Sequence, residues 1–408
     1  MGKINFRNLM LTNEQRKYFA IDLIGEDWDT VEIKAGYYVV YDGDIIRKVI
    51  SYYNDDKRLE YYENDVEIHT RNRVMVLPKT ARGKEKKINF TSISSRSPHG
   101  IQFGFSSVRS NRNKNDPGGT NTKEPANIFV RNTKNALSIP ICNKTSVIRT
   151  VEEFKGWVEV FIRDVPVDYM EKVDKVKNTP HQTIKYYNGD IFRFEFDLEH
   201  YGFGLIIGQI SKMKKEKVIL KNHVLAECMM VPLLVRCYAI KTKDKAMHVK
   251  EITKHPLLPV DIMADNGIIW GTYDIVGSKV LTQEDIEFPL QIGPSISYGD
   301  KSGRICWGIG MKMIEEWPID LGGDYLENRK YLENGVAIGI NVDIVEAQMT
   351  IPTLASFNII DLKNIEDKRK LFTIFDIPRN ITFDEFNRKY NGMTKEEYVN
   401  YANKKRRP

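Results

Sequence analysis

The segment DIFRFEFDLEHYGFGLIIGQI at 190–210 leaves a folding chain little choice. Phe192, Phe194 and Phe196 alternate with Arg193 and Glu195, the period of two that gives a strand one apolar and one charged face. Asp197 to His200 supply a polar turn. Tyr201-Gly202-Phe203-Gly204 then leads into the apolar run LIIGQI, a second strand whose glycines permit a bulge, sharp coiling or close approach of another backbone. Such a hairpin resembles the opening of a small SH3-like barrel.

The same signals recur along the chain. GYYVVYDGDIIRKVISYY at 36–53 is β-branched and aromatic on both sides of Asp42-Gly43, a dipeptide suited to a hairpin turn with positive φ. YDGDII at 41–46 faintly echoes YNGDIF at 187–192. Further strands are expected at 58–67, 73–77, 86–93, 100–107 and 231–240. The segment 255–277 places Trp270 between an Asn266-Gly267 turn and a strand ending at Gly277; 288–300 and 304–317 complete a strand-rich module. Thr12-Asn13 is a plausible N-cap for a helix over 14–25. In 150–178, Phe154, Trp157, Val158 and Phe161 recur at helical spacing until Val165-Pro166 interrupts them. Two short polar helices are expected near the end.

These elements predict a β-rich α+β protein: two domains of strongly bent antiparallel sheets, a bridging helix and a helical C-terminal tail. The expected boundaries are 1–149 for an N-terminal β-rich domain, 150–180 for the bridge, 181–344 for the second domain and 345–408 for the extension. The run at 109–127 is polar and rich in Asn, Gly and Pro, hence a long exposed loop, either an interaction surface or a tolerated insertion.

A length of 408 residues suits two domains, and 41% apolar residues with 20 Tyr and 18 Phe suffice for two cores. No window approaches the roughly 18 apolar residues of a membrane helix, and the opening residues lack a signal-peptide pattern, so the expected location is the cytoplasm. Cys142, Cys228, Cys237 and Cys306 lie far apart with no CxxC pair and read as reduced core cysteines. The net charge of +6 is spread over a large chain, with basic clusters at 79–87, 214–217 and the end. Lys84, Lys86, Lys87, Lys214 and Lys215 are the candidate binding residues. No aromatics interleave with them, which argues against nucleic acid and for solvated loops.

No catalytic constellation stands out. There is no GxSxG elbow, no phosphate-binding GxxxxGK[ST] loop and no GxGxxG after a strand. The seven His show neither HxH nor HExxH spacing; His200, near Asp197 and Glu199, is the best local metal candidate, and a polar turn explains it as well. No catalytic residue, metal ligand or cofactor is therefore expected. Spacing alone leaves a dispersed Ser-His-Asp set open.

YNGDIFRFEFDLEHYGFGLIIGQI, then PLLPVDIMADNGIIWGTYDIVGSKVL, FPLQIGPSISY and a closing CWGIG, resemble the immunity protein 26 family of bacterial polymorphic toxin systems. LTNEQRKYF, YDGDIIRKVI and VLPKTARGKEKKINF resemble the leading region of longer members, so the likeness covers roughly 10–317. It implies a bacterial protein that occupies and neutralises a cognate protein toxin, with no membrane partner. The family name is also attached to a phosphotriesterase, so a divergent hydrolase and a nucleic-acid-binding module are the alternatives. The residues carrying the likeness are Gly189, Asp190, Phe192, Tyr201, Gly202, Gly204, Trp270 and Trp307. A hairpin turn with packed aromatics needs the same residue types, and the two tryptophans, each read in an apolar strand beside a glycine, suit core packing.

Overall fold

A computed structural model describes residues 11–55, 58–76, 85–90, 93, 100–108, 125–139, 141, 147–294, 302–316, 336–351 and 365–404. Lys84, Cys142, His99, residues 109–124, 295–301 and 352–364, and the final 405–408 lie outside the described residues.

Thr12 caps α1 (Asn13–Tyr18) in a reciprocal arrangement with Gln15. The helix is shorter than the sequence pattern because Ala20 turns to φ +58° and stops it. The strands β1 (Asp29–Lys34), β2 (Tyr37–Asp42), β3 (Ile45–Asn54), β4 (Arg58–His69), β5 (Val74–Val76), β6 (Glu85–Lys87), β7 (Ile101–Val108), β8 (Asn127–Asn132) and β9 (Ser138–Ile139) follow. Gly43, at φ +57°, makes the β2–β3 turn. Seven of these strands form one antiparallel sheet, ordered β1-β2-β3-β4-β7-β8-β9, while β5 pairs with β6.

Beyond them lie α2 (Val151–Asp164), with Thr150 and Glu153 as its capping box, and α3 (Tyr169–Asn178). Their apolar stripes face the sheet: Phe154, Val158, Tyr169, Val173 and Val176 are buried in one core with Val40, Ile50, Tyr61, Phe103, Phe105 and Val130 of the sheet. Asn132 and Asn135 hold the end of α3, each donating to the Val176 carbonyl, at 2.9 and 3.0 Å.

That core belongs to one of two units, residues 1–182 with 197–199; the other comprises 183–196 and 200–408. The second unit runs through β10 (Asp190–Glu195), β11 (Tyr201–Gln209), α4 (Ile210–Lys215), a 3-10 turn (Val224–Glu227), β12 (Pro232–Tyr238), α5 (Val249–Ile252), β13 (Leu257–Ala264), α6 (Asn266–Ile269) and β14 (Asp274–Ser278). It continues with β15 (Leu290–Pro294), β16 (Gly303–Trp307), β17 (Gly310–Ile314), α7 (Val342–Thr350), α8 (Ile365–Ile374), α9 (Phe383–Lys389) and α10 (Lys395–Asn403).

Its main sheet has the order β13-β12-β11-β10-β14, and a second sheet the order β15-β16-β17. Both faces of the main sheet are covered: Phe203, Leu205 and Ile207 lie in one core, Phe192, Phe194, Ile206, Leu233 and Val235 in another. Every residue of β11 is consequently buried. The class is α+β and β-rich, and no closed barrel is found among the described residues. None of the described helices is long and apolar enough to cross a membrane.

Candidate functional site

The β10–β11 hairpin is organised by its glycines. The register sets Phe192 opposite Gly204 and Phe194 opposite Gly202. A Cβ on Gly204 would stand 2.3 Å from the Phe192 ring, and one on Gly202 2.5 Å from the Phe194 ring. The rings lie across the neighbouring strand where a side chain would otherwise sit.

Gly189 takes φ +84° in the preceding turn, where the buried Asp190 carboxylate accepts the Tyr187 N–H at 2.9 Å. Tyr201 is buried at the start of β11, with the Arg193 guanidinium 5.2 Å from its ring centre. Gly189, Asp190, Phe192, Tyr201, Gly202 and Gly204 are all buried in the sheet and its turn. At the hairpin tip Glu199 N–H donates to the Asp197 carboxylate at 2.9 Å, the pattern of a polar turn.

The tryptophans differ. Trp270 is not in a strand: it ends α6, the helical turn that Asn266-Gly267 opens, because the Asp265 carbonyl accepts both Ile268 and Ile269 N–H groups. Trp307 does end a strand, and it is buried against Phe372, Phe383 and Phe386. Asn387 clamps α9 onto the β16–β17 turn, donating to the Trp307 carbonyl at 3.0 Å and accepting the Gly310 N–H at 2.8 Å. The Tyr398 hydroxyl of α10 donates to the Ile207 carbonyl of β11 at 2.9 Å.

Behind the 3-10 turn lies a group of buried polar side chains: His223, Gln291 and Arg304. His223 accepts the Leu225 N–H at Nδ1, 3.1 Å away. Burial, reinforced by the Arg304 guanidinium, pushes its pKa down to about 3 against the opposing Gly308 backbone, so the imidazole is neutral. Arg304 contacts the Glu227 carboxylate. Cys306 lies on the same face of β16 as Arg304 and opposite Gln291 of β15. Among the described residues, His223 Nε2, Arg304 Nε and both amide atoms of Gln291 have no hydrogen-bond partner.

Chemically this group is poorly poised for catalysis. Burial raises the Cys306 thiol to about 12 and holds His223 near 3, so neither a thiolate nor a base is available near neutrality. No group of three or more His, Cys, Asp and Glu able to hold a metal occurs among the described residues. Cys228, Cys237 and Cys306 are free and buried.

Lys214 and Lys215 are exposed at the end of α4. Lys86 and Lys87 belong to β6 of the first unit, and Lys84 lies outside the described residues. Two features escape sequence reasoning. One is the exposure of Leu220, Met229, Met230, Val231 and Met313, of which the Met229-Met230 doublet before Val-Pro was the available signal. The other is a buried charge network in the first unit: Arg16 donates to both Glu63 oxygens at 2.8 and 3.2 Å, and Lys48 reaches both Glu63 and Asp65.

Residues 187–301 match the family model described as Immunity protein 26. No curated protein and no solved structure matches the chain. The matched segment begins at the Tyr187–Asp190 turn, takes in all five strands of the main sheet and ends between β15 and β16. Over residues 187–301 of its second unit, the chain is similar to the immunity protein 26 family.

Proposed function

We propose that this chain is a bacterial, cytoplasmic immunity protein that binds a cognate protein toxin of a polymorphic toxin system and blocks its active site by steric and electrostatic occlusion. The observation that carries the reading is the family match over the main sheet of the second unit. The buried state of the thiols and of His223 agrees with action by binding rather than by chemistry. Exposed lysines, Lys214 and Lys215 among them, suit an acidic partner surface, and Lys84, Lys86 and Lys87 are proposed to contribute in the same way.

The test is co-expression with the product of the gene adjacent to this chain's own, taken as the candidate toxin. Cells carrying both should grow, cells carrying the toxin alone should not, and the purified pair should co-elute with the toxin's activity suppressed. Growth arrest that persists with the chain present, together with separate elution, would refute the reading.

A further inference from the structure

The stretch from α4 to the start of β12 combines two features that a solvated loop does not need together. Met229 is 78% exposed and Met230 50%, and Leu220, Val231 and Met313 are exposed as well. Met230 also holds φ +60°, a region that unbranched but bulky side chains rarely occupy. Strained backbone that presents an apolar side chain to water is a mark of a functional surface.

Four relationships bring Met313, the Glu227–Met229 segment and the end of α4 into one neighbourhood. Asn222 Nδ2 approaches Met313 Sδ at 3.5 Å. Met313 is the register partner of Arg304, and Arg304 contacts Glu227, two residues before Met229. Met213, the residue before Lys214, packs in one core with Cys228. Met229 is the next residue in the chain.

Around this apolar centre, in the stretch from α4 to β12, cations outnumber carboxylates, while Glu315 and Glu316 follow Met313 on the far side. Lys214, Lys215, Lys217 and Lys221 are exposed and form no ion pair among the described residues. The stretch's two carboxylates are engaged elsewhere, Glu216 by the Tyr401 hydroxyl at 3.0 Å and Glu227 by Arg304.

An apolar centre rich in Met with a cationic rim is the anatomy of a protein–protein interface. Phosphate backbones would use the lysines and leave the methionines in water. A second copy of this chain, placed face to face, would set lysine against lysine.

We infer that the Leu220–Met229–Met230–Val231–Met313 patch and its lysine rim form the docking surface for the toxin, and that the toxin meets it with an apolar pocket edged by carboxylates. This inference rests on the function proposed above.

The experiment uses the full chain and the same candidate toxin, in an inactivated form, as the probe. Met229→Asp/Met230→Asp should weaken binding about 100-fold, as loss of a central anchor does. Lys214→Glu/Lys215→Glu should slow association about tenfold and flatten its salt dependence while changing dissociation little. Both variants alter exposed side chains, so an unchanged circular dichroism spectrum shows that folding is intact.

If the parent binds and the methionine variant binds within twofold of it, this surface is wrong while the immunity function stands. Parent chain that sediments as a dimer, dissolved by the methionine change, assigns the patch to self-association and overturns the inference. A parent that captures no toxin removes both.

Discussion

Glu63 and Asp65, two residues apart on β4, share the ammonium of Lys48 yet depart from their ordinary pKa values in opposite directions. Burial acts to raise both. At Glu63 it is outweighed by Lys48 and Arg16 together, so that carboxyl stays below its usual range. Asp65 has Lys48 alone among cations and the Asp22 charge against it; burial prevails and its pKa rises to about 6.

The two carboxylates therefore oppose each other in the pH dependence of the first unit. A folded-state pKa above the unfolded one favours the fold at low pH, and that contribution is lost as pH rises through about 6. Asp65→Asn removes this term. Relative to the parent, the variant should gain about 3 kcal/mol of stability between about pH 4 and about pH 7. Urea unfolding at the two pH values measures it, and a difference independent of pH would contradict the assignment.

The Phe192–Gly204 pair makes a coupled prediction. Gly204→Ala places a methyl group against the Phe192 ring and should cost about 1–3 kcal/mol. Phe192→Leu withdraws the ring, so the double variant should be more stable than the sum of the two single losses. Strict additivity in a chemical-denaturation cycle would show that the ring and the glycine are not matched.

Removing the Asn387 side chain takes away the acceptor of the Gly310 N–H and one donor to the Trp307 carbonyl. Asn387→Ala should destabilise the second unit by about 1–3 kcal/mol. Loss of near-ultraviolet signal from Trp307 at lower denaturant reports it. An unchanged midpoint would mean that the clamp contributes nothing.

The buried thiols give a chemical readout. Cys237 and Cys306 have their pKa raised by burial, the latter to about 12, so native protein should alkylate at these two positions only as fast as it opens. Peptide-resolved mass spectrometry after brief iodoacetamide treatment, with and without denaturant, checks this. Rapid modification of Cys306 in the folded protein would reject its burial.

What the sequence disclosed depended on how locally each feature is encoded. Asp42-Gly43 and the Phe192-Phe194-Phe196 alternation carry their own geometry and appear as read. The inward position of Lys48 could not be read in this way. A register shift between Ile46 and Lys48 changes the phase of β3, so Ile46 and Val49 share one core while Ile50 joins the other, and a count of alternating residues passes over one extra residue.

Asn266-Gly267 resembles a hairpin turn by composition, and only the Asp265 carbonyl's two hydrogen bonds make it helical. The helices α9 and α10 look polar because so few positions face inward. Phe386 with Asn387, and Tyr398 with Ala402, are nevertheless buried. The exposure of Met229 and Met230 is not encoded locally, since an apolar pair beside a strand does not by itself fix which way it faces.

The bond from Tyr398 to Ile207 joins residues 191 positions apart. During synthesis the first unit has nearly all its chain once residue 182 has emerged, whereas the second waits roughly 220 residues more for α10. At about 5–20 residues per second, that wait is on the order of 10–45 s. Completion of the main-sheet core is accordingly all or none for each molecule synthesised: a ribosome that stalls before α10 leaves that core unfinished, and folding of the second unit lags translation of β11 by the time needed to reach that helix.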